Sequence, residues 1–164
     1  PLDSLIEEIV EPHREFGIRI SVSREGDGTP EPVGLRNPGI LYGLGNILEN
    51  AVDFAKSEVR VNSRHDSQSV TISVSDDGPG FSPDTLARIG LPFRRSRDKV
   101  ERQGAGGLGL GLFIAKTLLE RSGAELSFEN AEEPGHGAKV NITWPRERME
   151  IGPEAGKYRP GLTH

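Results

Sequence analysis

Two eight-residue runs, "EVRVNSRH" (58–65) and "SVTISVSD" (69–76), alternate apolar and polar residues and are separated only by the polar "DSQ". A period of two puts the apolar side chains on one face of an extended strand. So short a polar connection makes the two runs an antiparallel hairpin. The hairpin then has one apolar face that another layer must cover. The flanking sequence supplies that layer. In "NPGILYGLGNILENAVDFA" (37–55), Ile40, Leu41, Leu44, Ile47, Leu48, Ala51 and Phe54 share one helical face. Asn37 is suited to cap this helix and Pro38 to open it. A second helix is predicted over 110–123, with Gly123 as its C-cap. A short amphipathic helix is predicted over 3–15, ended or kinked by Pro12, and another over 82–90 with Ser82 as its cap. Further strands are expected at 18–25, 124–130 and 138–145, the last two forming a hairpin. The predicted fold class is α+β: a two-layer α/β sandwich whose mixed sheet of about five strands carries helices on one face. Residues 91–108 are charged, then glycine-rich, and have the length of a lid. The expected domain is 1–146, followed by a polar, flexible tail at 147–164.

Composition excludes several chemistries. The chain has 164 residues and no cysteine, so disulfides, zinc ribbons and thiol catalysis are ruled out. Its net charge of −5 argues against a nucleic-acid partner, which needs a basic face. With a mean hydropathy of −0.47 and no apolar run near the roughly 20 residues of a bilayer span, no direct membrane contact is expected. The acidic N-terminal stretch "PLDSLIEEIVEP" lacks the basic region of a secretory leader. A cytoplasmic location is therefore expected.

Three motifs carry chemistry. Asn46 and Asn50 lie one turn apart on the strongest predicted helix. Asparagine is a poor interior helix residue, and two amide oxygens on one face can serve a hard cation such as Mg²⁺. Two solvated surface residues fit the same pattern, and for the pair alone that simpler reading is preferred. "SDDGPGF" (75–81) ends the second strand of the hairpin. Asp76 there could read an amine through a charge-assisted bond, while Gly78 and Gly80 let the backbone approach a flat ligand. An ordinary Asx-type turn fits these residues equally well. "GAGGLGLGL" (104–112) places five glycines before and inside the start of a helix, where free amides suit phosphates. No Gly-Lys-Ser/Thr follows, so it is not a P-loop. A flexible linker is the alternative, weakened by the alternating leucines. Arg94, Arg95, Arg97, Lys99 and Arg102 precede the glycines. They read either as a solvated face or as counter-charge for phosphate. In this order the three motifs describe a metal ligand, a base reader and a phosphate cradle.

The set resembles the ATP-binding domain of bacterial sensor histidine kinases, within the superfamily shared with gyrase, Hsp90 and MutL. "NILENAVDFA" resembles the N box, "DDGPGF" the first glycine box, "LPFRR" the F box and "GGLGLGLFIAK" the second glycine box. "GHGAKVNITWP" is similar to the closing strand. "NAVDFA", "LPFRRSRD" and "GLGLGLFIAKTLLERSGA" are similar to the alphaproteobacterial RegB/PrrB/ActS redox-responsive kinases. The resemblance covers residues 1–146 and implies a Bergerat fold with an ATP lid, and ATP and Mg²⁺ as cofactors. It implies that Asp76 binds the adenine amine, that Asn50 assisted by Asn46 ligates Mg²⁺, and that Gly78 and Gly80 shape the adenine pocket. It gives Gly107, Leu108, Gly109, Leu110 and Gly111 to the nucleotide cradle, Phe93 to the lid anchor and Arg95 to a phosphate contact.

Three positions depart from the family pattern. Asp53 stands three residues after Asn50, where many such kinases carry a basic residue. Leu108 stands where a polar residue is common. Asn46 stands where the ATPases of the superfamily place a catalytic Glu, and an amide cannot serve as a general base. Glu49 lies about 100° away around the helix from Asn50 and does not replace it. This favours transfer of the γ-phosphate to a protein histidine over hydrolysis. An ATPase clamp and a degenerate, non-catalytic interaction module are the alternatives. His13, His65, His136 and His164 do not sit in a phosphoacceptor pattern. The expected partners are therefore a His-bearing dimerisation domain of the same kinase and a cognate response regulator. The expected setting is the cytoplasmic part of an inner-membrane sensor.

Overall fold

In the computed structural model, which describes residues 2–13, 17–30, 32, 37–89, 108–130 and 137–149, the hairpin occupies the predicted residues. It comprises β2 (Glu58–His65) and β3 (Ser69–Asp76). Before it come α1 (Leu2–Val10), a 3₁₀ turn (Glu11–His13), β1 (Arg19–Gly26) and α2 (Pro38–Phe54). After it come α3 (Pro83–Ile89), α4 (Leu108–Arg121), β4 (Glu125–Asn130), β5 (Ala138–Pro145) and a single turn, α5 (Arg146–Met149). The α1 helix stops before the residues predicted for it, because Pro12 lacks the N–H that another turn requires and the chain tightens into the 3₁₀ turn. The side chain of Asn37 accepts a hydrogen bond from the N–H of Gly39 at 2.8 Å, and Pro38 follows as the first helical residue, so α2 starts as its sequence dictates.

The five strands lie in the order β1-β2-β3-β5-β4. β1 and β2 are parallel, joined by the α2 crossover, and the remaining pairs are antiparallel. The register aligns Val22, Val61, Val74, Val140 and Phe128 in one row across all five strands. Leu2, Ile6 and Val10 of α1, Ile40, Leu44, Ile47 and Leu48 of α2, and Leu112, Ala115 and Leu119 of α4 bury themselves in the same core. The opposite face is polar. Its central row of Ser23, Asn62, Ser73, Asn141 and Ser127 is joined by side-chain bonds from Ser23 to Asn62, Ser73 to Asn141 and Asn141 to Ser127. The architecture is the expected two-layer sandwich with helices on one face.

The helices share one direction relation that positions the site. β2 begins beside the end of β3, with Val59 opposite Asp76, so α2 delivers its C-terminus to that end of the sheet. β4 begins at the other end, where Glu125 faces Thr143 and Thr143 faces Thr71. The α4 helix that precedes it must therefore start at the Asp76 end, antiparallel to α2. Close approach of the two helices depends on Gly43, where a Cβ would lie 2.7 Å from Leu119 Cγ. At the far end, Arg146 is 8% exposed. Its guanidinium donates to the carbonyl oxygens of Pro30 and Asp66 and to Thr29 Oγ1, and its N–H donates to Gln68 O.

Candidate functional site

The two aspartates of "SDDGPGF" have different jobs. As the last core-facing residue of β3, Asp76 is only 7% exposed. Its Oδ1 accepts from Gly78 N–H at 2.8 Å and from Ala138 N–H at 3.4 Å, and its carbonyl accepts from Gly137 N–H. Burial pushes its carboxyl above the ordinary range; the two N–H bonds pull against this, and the nearby Asp77 charge adds to it. Oδ2 has no hydrogen-bond partner among the described residues. Asp77 points the other way. It accepts from the backbone N–H groups of Lys56 and Ser57 and from Ser57 Oγ at 2.6 Å. Desolvation opposes its charge, but the Ser57, Glu58 and Lys56 bonds outweigh it and hold the carboxyl well below the usual range. Asp77 thus ties the α2–β2 connection to the turn, a role the sequence does not announce.

The backbone around Asp76 leaves no room for side chains. A Cβ at Gly78 would collide with the Phe54 carbonyl at the end of α2, and one at Gly137 with Asp76 Oδ1 and the Gly78 backbone. Gly80 has φ +82°, and its missing Cβ would lie 2.7 Å from Asn130 Oδ1. Asn130 in turn accepts from Phe81 N–H and donates to Phe81 O, both at 2.7 Å. Asn130 lies outside the motifs read from the sequence, and Gly137, although inside "GHGAKVNITWP", is given no role there. Neither carries a local signal, because each matters only through a contact with a distant turn.

The structure brings three of the expected parts to one end of the sheet: the C-terminal half of α2, the Asp76 turn and the first turn of α4. Asn46 and Asn50 are both half-buried on α2, and neither amide has a hydrogen-bond partner among the described residues. Those residues contain no group of three or more His, Cys, Asp or Glu side chains able to hold a metal. A cation here would depend on amide, water and ligand oxygens, a donor set that fits Mg²⁺. The first turn of α4 contains Leu108, Gly109, Leu110 and Gly111. The space where a Gly111 Cβ would stand is open to 4 Å. Phe93, Arg95, Gly107 and the remainder of the expected lid lie outside the described residues. No described helix is long and apolar enough to cross a membrane.

This arrangement matches known proteins. Residues 37–148 match the family described as histidine kinase-, DNA gyrase B- and HSP90-like ATPases. The sensor histidine kinase RegB of Cereibacter sphaeroides is 45% identical over 168 aligned residues, which cover 92% of this chain and 36% of that protein. The chain thus spans about a third of its relative's length. The crystal structure of full-length ShkA in complex with AMPPNP superposes with a TM-score of 0.65 at 28% identity, covering 88% of this chain and 30% of that one. The nucleotide-free catalytic domain of histidine kinase ThkA, 22% identical, shares the fold with a TM-score of 0.63 over 90% of this chain and 95% of its own. The chain belongs to the histidine kinase-, DNA gyrase B- and HSP90-like ATPase family, and its fold is that of histidine kinase catalytic domains.

Proposed function

We propose that this chain is the ATP-binding, phosphoryl-donating part of a sensor histidine kinase. It holds Mg-ATP and presents the γ-phosphate to a histidine on a separate dimerisation domain of the same kinase, from which a cognate response regulator is served. The P–O bond to ADP breaks as a P–N bond to the imidazole forms, so ADP leaves and a phosphohistidine remains. The observation that carries this reading is Asp76: a buried carboxylate with one oxygen held by backbone N–H groups and the other without a partner among the described residues, beside a turn whose glycines let the backbone pack closely. Asp76 would accept from the adenine amine. Asn50, with Asn46 one turn earlier, would offer amide oxygens to Mg²⁺, whose chemistry there is charge neutralisation across the phosphates. The first-turn amides of α4 would hold phosphate oxygens, as helix N-termini do. Positioning and electrostatics of this kind account for most of phosphoryl-transfer catalysis.

The test is calorimetric titration with Mg-ATP. The wild type should bind. Asp76→Asn presents an amide N–H₂ where the adenine amine needs an acceptor, and should lose on the order of ten- to a hundredfold in affinity, the worth of a charge-assisted bond. Equal affinity in the two folded proteins would remove Asp76 from the role. Asn50→Ala should weaken binding with Mg²⁺ present and change it little in EDTA.

A further inference from the structure

The turn after Asp76 is anchored unevenly. Its near end is fixed by the strand ladder, by Gly137 N–H and by the Asp77 bonds to residues 56 and 57. Beyond Gly78, neither Pro79 nor Gly80 has a hydrogen bond among the described residues. Phe81 is the next fixed point. Both of its backbone polar groups are taken by the single amide of Asn130, and its ring meets Phe128 of the same strand edge-on, with centroids 6.1 Å apart. The clamp runs against the bare α-carbon of Gly80, which leaves the turn no slack. Asn130 is itself exposed at the end of an edge strand. It reaches a residue that is itself only 5% exposed.

We propose that Asn130 is a positioning residue for base selectivity: by pinning Phe81 it holds the turn so that Gly78 N–H keeps the Asp76 carboxylate aimed at the amine of a purine base. This rests on reading the Asp76 turn as an adenine pocket. Asn130 does not touch the nucleotide in this scheme. It acts through Phe81, Gly80 and the Gly78 N–H.

The experiment compares the wild type with Asn130→Ala in two readouts. The first is hydrogen exchange of the Gly78 and Phe81 amides without nucleotide, where the variant should exchange about tenfold faster at both, the worth of one or two net hydrogen bonds. The second is affinity for Mg-ATP and for Mg-inosine triphosphate, which carries a carbonyl in place of the amine and is measured by competition. Affinity for ATP should fall about five- to tenfold and affinity for inosine triphosphate less than twofold, so selectivity shrinks. A role confined to stability would lower the melting temperature and leave the ratio of the two affinities unchanged, which overturns the proposal, as does unaltered exchange at Gly78. If the wild type binds neither nucleotide, the adenine-pocket reading fails and takes this one with it. If the wild type selects ATP and the variant selects it equally, only the positioning role fails. Should Asn130→Ala not fold, Asn130→Asp, which keeps the acceptor for Phe81 N–H and loses the donor, carries the same comparison.

Discussion

Asp76 shows how one residue can weaken a fold and still be kept in place. Burial raises its carboxyl above the ordinary value of 3.8, so folding shifts Asp76 toward the protonated form relative to the unfolded chain. The sign follows from linkage. The stability this group contributes is fully present below 3.8 and is lost as pH rises through the raised value. Asp76→Asn keeps an oxygen for the Gly78 and Ala138 N–H groups and carries no charge. Its stability relative to wild type should therefore rise with pH from about 3.8 upward and level off above the raised value, which denaturant titrations at several pH values would measure. The same substitution, expected to weaken ATP binding, should leave the nucleotide-free domain equal or better in stability at pH 7. Asp77 has the opposite sign. Its carboxyl is held low, so its contribution is present at neutral pH and fades as pH falls below 3.8. Asp77→Ala should cost about 1 kcal/mol at pH 7, a typical net hydrogen-bond contribution at a solvent-accessible site, and less in acid. From sequence, Asp76 stood out at a strand end before two glycines, whereas Asp77 next to it gave no sign of being tied to residues 56 and 57.

The glycines at the two ends of α4 and α2 act at the scale of elements. Gly43 keeps the helices close, and its replacement by Ala would put a methyl group 2.7 Å from Leu119. Separating two packed helices in this way costs on the order of 1–3 kcal/mol. Gly111 is different, because a Cβ there meets nothing within 4 Å among the described residues. Its conformational freedom is a loss to the helix, so Gly111→Ala should stabilise the nucleotide-free chain by up to about 1 kcal/mol. If the first turn of α4 is the phosphate cradle, the added methyl should also lower ATP affinity. A thermal melt and an ATP titration on the same variant check both signs, and a stabilised variant with undiminished affinity would argue against that cradle. The boundaries of α2, β2, β3 and β5 were legible from periodicity and capping. α4 begins at Leu108, two residues before its predicted start at 110.

The whole molecule has an Asp76 end and an Arg146 end, separated by the length of the sheet. At the Arg146 end the guanidinium joins the β1–α2 connection to the β2–β3 turn through Pro30, Thr29 and Asp66. Arg146→Ala should remove the bonds that tie these two connections together and destabilise the domain by about 1–3 kcal/mol, while ATP affinity stays within twofold because Asp76 lies at the other end. Urea unfolding and titration would separate the two effects.

The sequence by itself determined the local objects: which runs alternate, which helix faces are apolar, where α2 is capped, and which motifs occur in which order. These depend on neighbours within a few residues, so a period and a cap suffice to reveal them. It also carried the motifs by which the chain resembles its family, within residues 37–148. The tertiary structure alone decided that β5 enters between β3 and β4, that α2 and α4 run antiparallel, and hence that Asn50, Asp76 and the start of α4 meet at one end. It alone gave Asn130 and Gly137 a purpose. Those facts rest on contacts between residues roughly 50 to 60 positions apart, formed because burying the apolar faces fixes where each element ends, and no local pattern in the chain records them.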